Sequence, residues 1–209
     1  MWYYEVWFMN KKIINYFITA FAYLAVLYPL WVRIGSLDWA LNATLLPNLF
    51  PVFGLAAFAM LWLHSISGVF EPWLRKYINF DRFVHDTSFL ILVCIILHPL
   101  LLLASLRFSF HELFLYGEAK YIWLAIIGWF LLITYDIGKA LKKYDFFVRN
   151  WQNILLISTI GFLLTFFHSV GLGSDLQSGT LRIVWLFYGV TAMLATAYTY
   201  GIKRFLKKD

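Results

Sequence analysis

The sequence predicts an all-α integral membrane protein, a bundle of six helices with both termini on the cytoplasmic side. Three observations predict it. The composition is 62% hydrophobic and only 13% charged, with a mean hydropathy of +0.74. A soluble domain averages about 45–50% apolar and about 25% charged residues. Six apolar runs each come near the roughly 20 residues a helix needs to cross the hydrocarbon core. The basic residues alternate from loop to loop, dense on one side and sparse on the other, which is the charge asymmetry that orients short-looped membrane proteins.

The segment 1–12 carries Trp2, Tyr3, Tyr4, Trp7 and Phe8 ahead of Lys11 and Lys12. Rings of this kind favour the headgroup level, so an interfacial position is expected. The first span is 13–32. It is longer than a signal-peptide core and no clean small-x-small cleavage site follows, so it is expected to be retained. The remaining spans are 49–70, 83–105, 121–137, 151–172 and 181–202, and a basic tail, 203–209, follows. The spans and tail together leave room only for short loops, so a soluble catalytic domain is not expected within these 209 residues. Thirteen of the 17 basic residues fall on one side. They are Lys11 and Lys12; Arg75, Lys76 and Arg82; Lys139, Lys142, Lys143 and Arg149; and Lys203, Arg204, Lys207 and Lys208. Arg33, Arg107, Lys120 and Arg182 fall on the other. Topology and lipid contact explain the net charge of +6, and no nucleic-acid partner is expected. Asn42-Ala43-Thr44 fits a glycosylation sequon, a triplet too common to establish a eukaryotic host.

Cys94 is the single cysteine, which excludes an internal disulfide and a cysteine-based metal centre. Chemistry must come from the five histidines. His111 lies in an outer loop with Arg107 and Glu112 and reads as a solvated residue. The others lie in or at the ends of spans, where ionisable groups are rare and usually functional. At about 1.5 Å per residue, His98 lies roughly 22 Å from the inner end of the third span, and His168 roughly 25 Å from the inner end of the fifth. Both spans run outward, so the two imidazoles sit at similar depth in the outer half. Such a pair can ligate a haem iron from both sides. A structural or proton-handling role is the alternative. Gly161, seven residues before His168 and on its face, would let a porphyrin approach. Leu164, Leu172, Cys94 and Leu102 would form its apolar wall. His85 lies near the inner face, about 140° around the helix from His98. The matching position of the fifth span is Leu155, which cannot ligate iron. His64 and His85, with Arg75 and Arg82, are candidates for an inner cofactor site that would take a flavin or a quinone. Alternatively they anchor helix ends.

The stretch from Asp81-Arg82-Phe83-Val84-His85 to His98-Pro99-Leu100 resembles the third helix of the ferric reductase-like transmembrane superfamily. Trp151-Gln152-Asn153 through His168-Ser169-Val170-Gly171-Leu172-Gly173-Ser174 resembles its fifth. The superfamily includes NADPH oxidases, ferric and six-span metalloreductases, and the haem subunit of bacterial methionine sulfoxide reductase. The resemblance extends from about residue 49 to residue 200. It implies that His85 and His98 match the inner and outer positions of helix three and that His168 matches the outer position of helix five. Leu155 departs from the two-haem pattern, so one outer haem is implied.

The expected protein is therefore a membrane cytochrome b, an oxidoreductase component in a bacterial cytoplasmic (plasma) membrane. It would hold one haem b through His98 and His168 and pass electrons to an exterior metal ion or partner reductase. It has no dinucleotide fingerprint, so a separate flavoprotein, flavin or quinol must donate the electrons. The rivals are a proton, ion or solute transporter using the histidines as a path, and a cofactor-free assembly subunit.

Overall fold

A computed structural model describes the backbone of residues 2–37 and 44–203, with side chains from residue 11 onward within those ranges. The sequon residues Asn42 and Ala43 and most of the basic tail lie outside the described residues. The fold is all-helical among the described residues, and six helices are long and apolar enough to cross a membrane. In chain order the elements are α1 (Trp2–Gly35), α2 (Leu45–Val69), the short α3 (Glu71–Leu74), α4 (Phe80–Ser105) and α5 (Phe110–Leu115). Then come α6 (Ala119–Ala140), α7 (Asp145–Arg149), α8 (Trp151–Leu172) and α9 (Gly179–Thr196), the last continued by a π-helical turn, Ala197–Ile202. Each expected span falls within one long helix, to within a residue at its ends, the last taking in the π-helical turn. The largest difference is at the start, where α1 runs unbroken from Trp2, so the segment expected to be separate and interfacial is continuous with the first span.

Helix α2 is the central element, half of its span being buried within the protein. Gly54, Ala56, Ala57 and Ala59 give it a narrow waist, and small residues of this kind let helix backbones approach closely. It packs against α1, α4, α8 and α9. The second tight pair is α6 with α8. The core is aromatic. Phe58 stacks on Trp185 at 4.5 Å, and Trp62 on Tyr188 at 4.0 Å and 13°. Both indoles find acceptors, Trp62 Nε1 donating to Thr191 Oγ1 and Trp185 Nε1 to Ser169 Oγ, each at 2.8 Å. Large apolar side chains such as Phe17, Trp31, Phe89, Phe130 and Leu194 are exposed on the outside of the bundle. That arrangement suits a hydrocarbon solvent.

Two prolines inside helices set further cross-helix bonds. Proline has no N–H to give the carbonyl four residues earlier. Pro29 thus deprives Ala25 of its helical donor, and Pro99 deprives Ile95. Tyr188 Oη of α9 donates to the Ala25 carbonyl at 2.9 Å, and Trp129 Nε1 of α6 donates to the Ile95 carbonyl at 2.7 Å. In lipid an unpaired carbonyl is expensive, so these donors make the prolines tolerable.

The connections also fix which helix ends lie together. Asn15 Nδ2, early in the membrane-span part of α1 (Lys11–Gly35), donates to the Tyr77 carbonyl in the α3–α4 connection, at 2.7 Å. Arg33, at the end of α1, bonds Asp175 just beyond α8. The α4 helix starts at an Asn79 cap, whose side chain accepts from Arg82 N at 3.1 Å. It ends in two left-handed residues, Arg107 (φ 50°) and Phe108 (φ 59°).

Candidate functional site

Two antiparallel helix pairs deliver His98 and His168. In the α2–α4 pair, Gly54 lies beneath His98. A Cβ there would come within 2.8 Å of His98 Cε1 and Nδ1, so the ring rests on bare α2 backbone. His98 Nδ1 donates to the Phe50 carbonyl at 2.7 Å. In the α6–α8 pair, His168 Nδ1 donates to the Tyr121 carbonyl at 3.1 Å. A carbonyl only accepts, so Nδ1 carries the proton in each ring and Nε2 keeps its lone pair. The ring centroids stand 6.5 Å apart with an interplanar angle of 71°. The two histidines that the sequence sets at matching levels of their helices thus lie side by side.

Both imidazoles line a cavity of about 820 Å³. Phe58, Leu61, Ile126, Leu172 and Trp185 supply much of its apolar wall. Its polar rim holds Arg33, Tyr116, Ser174 and Asp175. Arg33 Nη1 donates to both carboxylate oxygens of Asp175 at 3.1 Å, and Nη2 to the Asn48 carbonyl at 3.3 Å. Arg33 Nε is buried and without a hydrogen-bond partner. Burial pushes the Tyr116 phenol up, and the Arg33 charge opposes that shift.

The donor set can be tested against a haem. Among the described residues no three His, Cys, Asp or Glu side chains gather as a metal-binding group. Two imidazoles suit an iron whose macrocycle brings the other four ligands. Iron held at about 2.0–2.1 Å from each Nε2, as for other imidazole–metal bonds, would set ring centroids roughly 6–6.5 Å apart, close to the spacing seen. The Nδ1–carbonyl bonds are the outer-shell contacts that metal-ligating histidines usually make. The cavity lies within the range of cofactor sites. The residues present fit the group.

Gly161 does not serve this cavity. A Cβ there would meet the Gly128 carbonyl and the Leu132 amide of α6 at 2.7 Å. The glycine does share a face with His168, as the seven-residue spacing requires. That face packs directly on α6, where His168 finds Tyr121, so Gly161 seats a helix and not a macrocycle. Leu102 and Leu172 line the cavity as expected. Leu164 instead faces Gly128, and Cys94 packs against the cluster of Ala57, Met60 and Ile95.

The inner candidates are dispersed. His64 bonds Thr87 Oγ1 and lies against Phe83, on the α4 face that meets α2. His85 is two residues, about 200°, from Thr87. Its side chain is 76% exposed and shares Asp86 with Arg82. Arg75 is engaged by Glu71 and Asp81, which raise its pKa by hydrogen bonding. These four residues do not form one pocket. His111 is exposed, as expected.

Sequence reading missed Gly54, the Phe50 and Tyr121 carbonyls, and the Arg33–Asp175 rim. Arg33 carried a signal, a cation in the last turn of a span, but it was counted only as a topology charge. Comparison with protein-family models, with curated proteins and with solved structures finds no match.

Proposed function

We propose that this protein is a membrane cytochrome b that passes electrons across the bilayer through a single bis-histidine haem b in the outer half. The observation that carries the proposal is the convergence of His98 and His168 from separate helix pairs beside an apolar cavity, each with Nδ1 already bonded. When bound, the haem supplies a reversible one-electron couple. His98 and His168 would hold its iron. Their Nδ1–H bonds to Phe50 and Tyr121 fix the tautomer that exposes Nε2 and raise its basicity. An iron held by both imidazoles would favour electron transfer over direct oxygen binding. Phe58, Leu61 and Trp185 give the site an apolar wall.

Electrons enter, in this proposal, from the basic end, where Arg75, Lys76, Lys142 and Lys143 offer an anionic or flavin-bearing donor a docking surface. A flavin or quinone near the cytoplasmic face bridges the inner half. Its seat is not the set of His64, His85, Arg75 and Arg82, which the fold distributes over different faces. The acceptor is an exterior metal ion or partner reductase.

The test is the visible spectrum of the purified chain. A reducible Soret band with low-spin features is expected. His98→Ala and His168→Ala should each abolish the bis-histidine spectrum, whereas His111→Ala should retain it. A normal low-spin spectrum in His168→Ala would show that the ligand assignment is wrong. No Soret band in protein produced with haem available would remove the cytochrome and leave the transporter and assembly readings.

A further inference from the structure

Arg33 is a buried cation whose donors the fold only partly uses. The residue is 9% exposed and lines the cavity that His98 and His168 share. A guanidinium has five N–H donors in a rigid fork, best matched by a carboxylate that takes two parallel bonds. Asp175 does not take them that way. Both of its oxygens accept from the single nitrogen Nη1, at 3.1 Å. Nη2 gives one bond to the Asn48 carbonyl, and Nε, shut away from solvent, has none. A buried donor on a cation is costly to leave unpaired. A ligand that supplied an acceptor there would be bound for that reason.

We propose that Arg33 binds a carboxylate of the macrocycle in the cavity, a haem propionate, through Nε–H and the remaining N–H of Nη2, while Asp175 holds the guanidinium in place. This assignment rests on the cytochrome proposal above. It orients the ligand, because the propionate edge must then face the rim formed by Arg33, Tyr116 and Asp175. The half-exposed Tyr116 marks the side from which water can reach the second carboxylate. A quinone offers only neutral carbonyl acceptors, which gain less from a guanidinium than a carboxylate does, so the contact also favours one flat ligand over another.

The test uses the full chain, purified in detergent without bound porphyrin. It is titrated with haemin b and with haemin dimethyl ester, whose propionates are blocked. Binding is read from the low-spin Soret band. The wild type should bind the free acid at least about tenfold more tightly than the ester, the effect of one charge-assisted contact. In Arg33→Gln the two porphyrins should bind equally, with little change for the ester. Arg33→Lys keeps the charge but lacks Nε–H, and its preference should fall by at least about threefold. A purely structural Arg33 would weaken both porphyrins alike and leave the ratio unchanged. An unchanged ratio in either variant, or no preference in the wild type, overturns the assignment. If the wild type binds neither porphyrin, the cytochrome proposal itself fails, and this assignment with it.

Discussion

A Cβ on Gly54 would lie 2.8 Å from the His98 ring, and the ring cannot move without loosening its Nδ1 bond to Phe50. Gly54→Ala should therefore act on the proposed ligand His98 and spare the helix. Disturbing an outer-shell contact of a metal ligand costs about 10–100-fold in affinity. The expected outcome is haem affinity lower by about that factor, with helical circular dichroism unchanged; wild-type affinity would show that Gly54 does not seat the ring. The histidines themselves were legible in the sequence. An imidazole inside an apolar run stands out, and depth follows from counting residues. Gly54 was not legible, because nothing in the chain says which stretch of α2 lies opposite His98. Gly161 was misread for a related reason: spacing gives the face of a helix, not its neighbour.

Between elements, α6 and α8 approach closely at Gly128 and Gly161. An added methyl at Gly161 would meet backbone atoms at 2.7 Å, which no rotamer change relieves. Gly161→Ala should force the helices apart and cost about 1–3 kcal/mol, as overpacking does. A lower melting temperature in detergent is expected, with the Soret position of the folded protein unchanged. A shifted Soret band at wild-type melting temperature would return Gly161 to the haem site. The six helices were readable because a membrane fixes their length and polarity. Their pairing was not. Lipid-facing Phe17 and Phe89 are as apolar as core Phe58 and Phe162, so periodicity does not separate inside from outside. The same blindness joined His64 and His85 into one candidate site, although His64 of α2 meets α4 at Thr87 and His85 projects from the other side of α4.

At the scale of the molecule, the bond from Asn15 to Tyr77 brings the start of the first candidate span, Lys11–Gly35, to the α3–α4 connection. Lys11, Lys12, Arg75 and Lys76 therefore cluster at one end of the bundle. Short basic loops are retained in the cytoplasm. A cysteine introduced at Lys142 should stay unlabelled when intact cells are treated with an impermeant thiol reagent, and should react once the cells are opened. Labelling from outside would invert the topology and with it the direction proposed for electron flow.

The two proline-freed carbonyls bind sequence positions that lie far apart in the chain. Ala25 is reached by Tyr188, and Ile95 by Trp129. Restoring an ordinary residue at 29 or 99 returns the carbonyl to its own helix and leaves the phenol or indole with a weaker claim on it. Removing the ring while keeping the proline strands the carbonyl in the bilayer. Neither partner can drift alone without loss, so inheritance should treat Pro29 with Tyr188, and Pro99 with Trp129, as linked characters. The second pair would carry a heavier constraint, since Pro99 directly follows the proposed ligand His98.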